Sequence, residues 1–377
     1  MGRLPSSVSR LVASCCNMGM RSSRHVFVVD CGSRHTEIHH LVVEADGSIE
    51  ETASDRVRPE GKEAGNVPLG SVLEAGTYKS EFFPVLLRGL FSLGWRDERR
   101  MSVFIGATGG VRKLRERGQL SDQQVADFEA ALNEALPHTR CHLAFHILTG
   151  DDEARYELTA TQHIFAPFFA AEGKGRVQFF SGGGATCQFG HGEPAELCSL
   201  NAHTKFAQDV LKANMKAPLE EKRAVLAKVR QDYEKIVDEW WPASPLPQLL
   251  EGSYVGIEMH EDCAQLGFNN VFITPPQAVA RIDQICEDLL AQQGDGWAKA
   301  TAKWKEWAGE NWVIGVAAAL RLRAILRHFD DRSSLYFAKS APGAQCKVSW
   351  PIGYVAAGAE AAVPARPERK PLESLDA

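Results

Sequence analysis

The stretches VVDCGSRHT (residues 28–36) and FFSGGGATCQF (residues 179–189) each place a glycine-rich turn between two strand-like runs. The run before each turn is apolar, as expected of a buried strand. Glycine lets the backbone turn sharply and lets amide N–H groups approach an anion closely. The two turns therefore predict a polyphosphate site that is built from two distant parts of the chain.

The composition is that of a soluble globular protein, with 44% hydrophobic and 24% charged residues in a chain of 377. This length allows two domains. A net charge of −6 argues against a general nucleic-acid binder. Nine cysteines without a C-x-x-C pair indicate reduced thiols and an intracellular protein. No apolar run reaches the roughly 18 residues of a membrane span, so no transmembrane segment is expected.

Residues 1–24 are predicted to form an N-terminal extension. No acidic residue precedes Asp30, whereas arginines and serines are frequent, and this composition is typical of an organelle-targeting segment. Gly2 with Ser6, and the adjacent pair Cys15-Cys16, also fit loose lipid-anchoring patterns. A disordered extension without a targeting role is the alternative.

Strand-like runs alternate with helix-like runs along the chain, which predicts an α/β architecture. A short apolar strand over residues 101–105 ends in the glycine-rich sequence GATGG at 106–110. A further strand over residues 141–148 is followed by the acidic triplet at 151–153. Acidic residues favour the start of a helix, where they complement the helix dipole.

These segments resemble, in order, the signature regions of the apyrases, the nucleoside triphosphate diphosphohydrolases of the actin-like ATPase superfamily. The family's Asp-Ala-Gly-Ser-Ser-His-Thr region is matched by DCGSRHT, and its Ala-Thr-Ala-Gly-Met-Arg region by ATGGVR. Its acidic third region is matched by GDDEA, its Asp-Leu-Gly-Gly-Ala-Ser-Thr-Gln region by SGGGATCQ, and its Trp-x-x-Gly-Tyr segment by SWPIGY. The matching segments lie at residues 30–36, 107–112, 150–154, 181–188 and 349–354.

The resemblance implies an α/β fold of two actin-like (ribonuclease H-like) lobes with a nucleotide cleft between them. We expect the first lobe over residues 25–160 and the second over residues 161–345. A C-terminal element over residues 346–362 is expected to return to the first lobe, and residues 363–377 to form a disordered tail.

Hydrolysis of a phosphoanhydride needs a base, a held water, a cation and donors that absorb negative charge. Glu153, on the first turn of a predicted helix, is the base candidate, and the matching glutamate of the family activates the attacking water. The alternative is an ordinary first-turn acid. Gln188 matches the family's water-orienting glutamine, since an amide accepts from water and donates to phosphate. Thr186 matches the family's serine and supplies a comparable hydroxyl.

A further set of residues is expected to bind the terminal phosphates, namely Gly32, Ser33, Arg34, His35, Gly183, Gly184 and Ala185, largely through backbone N–H groups. Thr108 and Gly109 are expected to line the same cleft, and a plain strand–helix turn is the alternative for these two. Arg34 replaces a serine of the family pattern, and it either adds a charged contact to phosphate or points to solvent.

The resemblance implies a magnesium or calcium ion that Asp30 holds through water, consistent with the oxygen ligands both ions prefer. Ser181 stands where the family has a second aspartate. Loss of a carboxylate around a metal site costs about 10–100-fold in affinity or activity, so hydrolysis is the part of the prediction at risk. Glu37 is a candidate substitute by its position in the first hairpin.

The sequence therefore predicts metal-dependent hydrolysis of the terminal phosphate of a nucleoside tri- or diphosphate. One alternative is an enzyme like the exopolyphosphatases and guanosine-pentaphosphatases. The other is a non-catalytic nucleotide-binding regulatory protein, which the Ser181 replacement favours. The histidines at positions 39, 40, 142 and 146 are interpreted as structural or surface residues, because they lie in strand-like sequence without a closed ligand set.

Overall fold

The structure is a computed structural model that describes residues 23–32, 35–57, 67–96, 101–136, 142–182, 186–191, 196–202, 204–214, 217–243, 252–257, 269–291 and 312–358. The predicted N-terminal extension over residues 1–24 and the predicted tail lie almost wholly outside these ranges. Five of the predicted phosphate-binding residues also lie outside them, namely Ser33, Arg34, Gly183, Gly184 and Ala185. No helix in the described part of the chain is long and apolar enough to cross a membrane.

The chain divides into two compact units between Ile147 and Leu148. The described part of the first unit has a five-stranded sheet of order β3-β2-β1-β4-β5. Its strands are β1 (Arg24–Cys31), β2 (Thr36–Val43), β3 (Ile49–Arg56), β4 (Met101–Ala107) and β5 (His142–Ile147). Its helices are α1 (Leu69–Ala75), α2 (Tyr78–Glu81), α3 (Phe83–Ser92), α4 (Gly109–Glu116) and α5 (Asp122–Ala135).

The second unit has a six-stranded sheet of order β10-β11-β9-β6-β7-β8 within the described residues. Its strands are β6 (Val177–Ser181), β7 (Cys187–His191), β8 (Glu196–Leu200), β9 (Ser253–Ile257), β10 (Phe272–Ile273) and β11 (Ser334–Phe337). Its helices are α6 (Gly150–Ala171), α7 (Lys205–Ala213), α8 (Leu219–Trp240), α9 (Pro275–Ala291), α10 (Trp312–Leu326) and α11 (Trp350–Ala356).

Each unit has its own apolar core beneath its sheet. In the first unit, alternate residues of β1 such as Phe27 and Val29 share a core cluster with Phe82, between α2 and α3, and with Phe128 of α5. In the second unit, the largest buried cluster contains Phe180 and residues of α7, α8 and α10. Burial of these side chains removes apolar surface from water and stabilises the packing of the helices on each sheet.

Four strands of each sheet are paired in the same order and with the same directions. In the first unit, β1 pairs antiparallel with β2 and parallel with β4, and β4 pairs parallel with β5. In the second unit, β6 pairs antiparallel with β7 and parallel with β9, and β9 pairs parallel with β11. Each glycine turn therefore follows the central strand of its sheet, at the same position in both repeats.

The boundary between the units differs from the prediction of a first lobe over 25–160 and a second over 161–345. It falls at 147/148 because the whole of α6 packs on β6, β7 and β8 of the second unit. The C-terminal helix α11 also belongs to the second unit, whereas the sequence predicts that the element over 346–362 returns to the first lobe. The reason is that α11 packs against α6, where the rings of Tyr156 and Tyr354 meet edge to face at 5.5 Å.

Candidate active site

The first glycine turn leaves β1 just after Asp30. Asp30 lies opposite Glu37 in β2 and opposite Gly106 in β4. Directly opposed residues of an antiparallel pair share one face of the sheet, so the Asp30 and Glu37 carboxylates are neighbours. A Cβ atom on Gly32 would lie 3.2 Å from the backbone oxygen of His35, which makes glycine the residue best suited to this tight turn.

The turn after β4 comes to the same edge of the sheet. The backbone N–H of Thr108 lies 3.2 Å from the carbonyl oxygen of Cys31 and donates to it, and the Thr108 hydroxyl lies 3.4 Å from the same oxygen. Thr108 is also the N-cap of α4, so the helix start is fixed to the end of β1. The Arg112 guanidinium reaches back to within 3.6 Å of where a Cβ on Gly109 would be.

The structure thus brings Asp30, Gly32, Thr108 and Gly109 of the predicted set to one edge of the first sheet. His35, also predicted, directly precedes the return strand β2 there, and its Nε2 lies 3.8 Å from the Glu37 carboxylate. Arg56 Nε lies 3.8 Å from the same Glu37 oxygen, Oε2.

The side-chain atoms at this edge that could coordinate a cation are carboxylate and hydroxyl oxygens, the ligands that magnesium and calcium prefer. Within the described residues, no three His, Cys, Asp or Glu side chains converge as a ready-made metal site. A hydrated magnesium ion needs only one or two carboxylates together with substrate phosphate oxygens. Asp30 with Glu37 therefore fits a cation of that kind.

His39 lies two residues beyond Glu37 in β2 and is buried. Its Nδ1 lies 2.8 Å from the Glu51 carboxylate in β3. Burial by itself lowers the pKa of His39, but the hydrogen bond and charge of Glu51, with Asp30 and Glu37, raise it above its ordinary value. His39 has a structural partner, in keeping with its interpretation from the sequence.

The acids that open α6 have different environments. Thr149 is the N-cap: its hydroxyl accepts from the N–H of Asp152, and its own N–H and O–H donate to the Asp152 carboxylate at 3.2 and 2.7 Å. Burial raises the pKa of Asp152, but these hydrogen bonds and Arg155 outweigh it, so the pKa is below its ordinary value. Asp151 is exposed and Glu153 is partly buried. Asp152 serves the cap, and Glu153, the next residue along the helix, is partly buried.

A buried polar network lies one helical turn further along α6. The Ser181 hydroxyl lies 2.9 Å from Glu157 Oε2 and 2.9 Å from Gln188 Oε1, and the Gln188 amide nitrogen lies 2.7 Å from Thr186 Oγ1. Glu157, Ser181 and Gln188 are only 4%, 0% and 3% exposed. Thus Ser181, Thr186 and Gln188, which the sequence singles out, are joined by hydrogen bonds.

Glu153 precedes Glu157 by four residues, so the two acids share one face of α6. The start of the helix lies beside β8, since a Cβ on Gly150 would be 3.5 Å from that of Ser199. Ser199 is the register partner of Gln188. The first turn of α6 therefore lies beside the strands that carry the network.

A buried arginine supports the second glycine turn. Arg321 of α10 is almost fully buried and donates to the carbonyl oxygens of Gly182 at 3.0 Å and Ala202 at 2.9 Å. Gly182 is the last described residue before the turn. A guanidinium held here places positive charge at the residue that precedes the predicted phosphate-binding glycines.

The register of the two sheets compares the hairpins directly. In the first hairpin, Val29 pairs with Ile38 and Asp30 with Glu37, nine and seven residues further on. In the second, Phe180 pairs with Phe189 and the Ser181 hydroxyl contacts Gln188, at the same two spacings. Ser181 is therefore the counterpart of Asp30 within the repeat. The carboxylate that reaches the second turn comes from helix α6, through Glu157, and not from the strand.

Sequence reasoning missed Glu157 and Arg321. The signal for Glu157 is its spacing of four residues from Glu153, which puts both acids on one helix face. The signal for Arg321 is a charged residue in a helix whose neighbours on all sides are apolar. A charge in such a position is rarely buried without a specific partner.

Two α/β units with one connectivity, each with a glycine turn after its central strand, define the actin-like two-lobed fold and confirm the predicted fold class. No family model matches the chain, and no curated protein matches it.

Solved structures of this fold are similar to nearly the whole chain. A Ppx/GppA family member from Aquifex aeolicus shares 12% identity at a TM-score of 0.57, covering 91% of this chain and 100% of the other. An exopolyphosphatase from Cytophaga hutchinsonii shares 11% identity at a TM-score of 0.51, covering 89% and 98%. Nucleoside triphosphate hydrolases from Neospora caninum share 10% sequence identity at a TM-score of 0.51, and the match covers 93% of this chain and 95% of the other. Similarity at this level of identity defines the fold and does not select the apyrase family.

Proposed function

We propose that this protein is a metal-dependent phosphohydrolase that removes the terminal phosphate of a nucleoside tri- or diphosphate. Water attacks the terminal phosphorus, the phosphoanhydride P–O bond breaks, and the products are inorganic phosphate and a nucleotide shorter by one phosphate. The observation that carries the proposal is Glu153, partly buried at the start of α6 beside the Thr186–Gln188–Ser181–Glu157 network.

Glu153 acts in this proposal as the general base. A carboxylate on the first turn of a helix, close to strand ends, accepts the proton of the attacking water as the P–O bond forms. Asp152 is held by the helix cap and Asp151 is exposed, so neither has the same setting.

Gln188 and Thr186 hold the attacking water. The hydrogen bond between them fixes both side chains, and an amide and a hydroxyl together offer both donors and acceptors without a change of charge. A positioned water lowers the barrier because its orientation is fixed before the chemical step.

The glycine turns after β1 and β6 are proposed to bind the phosphates largely through backbone N–H groups, at Gly32 and His35 and also at Ser33, Arg34, Gly183, Gly184 and Ala185. Thr108 and Gly109, after β4, are proposed to line the same site, with the Thr108 N–H held by Cys31. Arg112 adds positive charge beside Gly109, in the turn after β4, and Arg321 adds it beside Gly182. Phosphoryl transfer depends mainly on such positioning and electrostatic stabilisation.

Asp30, with Glu37 opposite, is proposed to hold magnesium or calcium through water. Once bound, such a cation neutralises negative charge on the phosphate oxygens. Ser181 does not need to act as a ligand in this arrangement, because its hydroxyl is engaged with Glu157 and Gln188.

A second candidate substrate is inorganic polyphosphate. The observation that favours it is the similarity to Ppx/GppA family members and to exopolyphosphatases over about nine-tenths of the chain. The same base, water and cation would serve a polyphosphate chain, since the bond that breaks is again a phosphoanhydride.

The test is phosphate release by the purified chain from a panel of nucleoside di- and triphosphates and polyphosphate, with magnesium or calcium. We expect release from nucleotides and its loss in Glu153→Ala. Turnover of polyphosphate without nucleotides would transfer the assignment to the second candidate. Nucleotide binding without release above the Glu153→Ala control would instead identify a non-catalytic binding protein.

A further inference from the structure

We propose that Glu157 is a positioning residue that fixes the orientation of the Gln188 amide through the hydroxyl of Ser181. The inference rests on the proposed function, because it concerns the residue that holds the attacking water. Its basis is a continuous chain of contacts of 2.7–2.9 Å from Glu157 through Ser181 and Gln188 to Thr186.

Because these side chains are buried, breaking their hydrogen bonds would leave polar groups without water to replace the lost partner. Glu157, Ser181 and Gln188 are almost completely removed from water. A buried carboxylate costs free energy unless hydrogen bonds compensate it, and the Ser181 hydroxyl is one group that does so. A serine at the end of β6 is therefore matched to a glutamate on α6.

The number of protons determines how the amide is oriented. Ser181 has one hydroxyl proton but lies 2.9 Å from a Glu157 oxygen and 2.9 Å from the Gln188 amide. If that proton goes to the Glu157 carboxylate, the contact with Gln188 needs a proton from the amide nitrogen. The oxygen and nitrogen of an amide have nearly the same shape, so the network assigns them.

The orientation of Gln188 in turn sets the role of Thr186. This assignment exchanges the Gln188 Oε1 and Nε2 positions given above, so the nitrogen faces Ser181 and the carbonyl faces Thr186, whose hydroxyl donates to it. The Thr186 oxygen then accepts a hydrogen bond from the attacking water and leaves both lone pairs of the water oxygen available toward phosphorus. An amide turned the other way would make Thr186 a donor to that water and would occupy one of the two lone pairs.

This geometry changes what is expected of Ser181→Asp. By itself, that substitution places a second carboxylate beside buried Glu157, and two neighbouring carboxylates repel each other. Combined with Glu157→Gln, it exchanges the positions of the acid and the neutral group. Asp at 181 then accepts from both glutamine amides, so Gln188 keeps its nitrogen toward residue 181.

The experiment compares Glu157→Gln, Ser181→Asp and the double variant with the wild type in steady-state phosphate release and in thermal unfolding. Glu172→Gln, an exposed acid at the end of the same helix, is the matched control. We expect Glu157→Gln to lower kcat about 10–100-fold, the range for lost supporting contacts at such sites, with little change in KM. We expect Ser181→Asp to lower both kcat and Tm, and the double variant to exceed Ser181→Asp in both.

A kcat of Glu157→Gln equal to that of Glu172→Gln would overturn the inference, and so would a double variant no better than Ser181→Asp. If the wild type releases phosphate from no substrate, the proposed function fails, whereas the Tm values still test the pairing of residues 157 and 181. In that case, a double variant with a higher Tm than Ser181→Asp would support the pairing. A double variant whose Tm is no higher than that of Ser181→Asp would overturn it.

Discussion

A Cβ atom on Gly353 would lie 1.7 Å from the backbone oxygen of Tyr156, so α11 approaches α6 at a distance that only glycine allows. This contact assigns a role to the segment SWPIGY, which the sequence marks only as a family-like motif. Its buried residues, including Trp350 and Tyr354, hold the helix that carries Glu153 and Glu157. The motif thus acts on the candidate site through the position of α6.

Gly353→Ala is expected to destabilise the protein by about 1–3 kcal/mol, because overpacking forces the two helices apart. Phosphate release should fall at the same time, since α6 carries the proposed base. The measurements are Tm and initial rate. Gly175→Ala is the control, because a Cβ there meets nothing within 4 Å. Equal Tm values for the two variants would contradict the packing role.

Glu153→Gln is expected to lower kcat about 100- to 10,000-fold, the usual contribution of a general base. Binding of the nucleotide, measured by calorimetry, should persist because the amide has nearly the shape of the acid. Asp151→Asn is the matched control, an exposed acid of the same helical turn. An active Glu153→Gln variant would remove Glu153 from the mechanism.

Thr149→Ala is expected to cost about 1 kcal/mol in stability through loss of the helix cap. Ser121→Ala removes an equivalent capping box from α5 and should cost a similar amount. Of the two, only Thr149→Ala should reduce phosphate release beyond the loss of folded protein, because α6 alone carries Glu153. Rates measured well below both Tm values separate the two effects, and equal rates would argue against a role for the cap in the site.

Asp30→Asn is expected to raise the magnesium or calcium concentration needed for half-maximal activity by about 10–100-fold. Glu37→Gln should have a smaller effect in the same direction, since Glu37 is also engaged with His35 and Arg56. Metal titrations of the rate measure both variants, and EDTA should abolish the activity of the wild type. An unchanged requirement in Asp30→Asn would place the cation elsewhere.

The pair of His39 and Glu51 predicts a pH dependence of stability. The pKa of His39 is raised in the folded protein, so proton binding favours the fold. This contribution is complete below the ordinary value of 6.5 and is lost as the pH rises through the higher folded value. Glu51→Gln should flatten this part of the stability profile in urea unfolding, whereas Glu50→Gln, exposed on the same strand, should leave it unchanged.

The local pattern of the sequence determined much of the fold. Apolar runs followed by glycine placed the ends of β1 and β6, and the alternation of strands and helices gave the α/β class. The order of the motifs along the chain singled out Asp30, Thr108, Glu153 and Gln188 as candidate site residues. These features are local because turn geometry, strand burial and helix starts depend on neighbouring residues.

Tertiary structure alone decided which side chains meet. Glu157 and Ser181 are 24 residues apart, and their contact depends on how α6 packs on β6. The carbonyl of Gly182 and its donor Arg321 are 139 residues apart. The boundary at 147/148 and the partner of α11 also follow from long-range packing. Periodicity shows which face of an element is buried, but the group that compensates a buried charge is set only when distant elements come together.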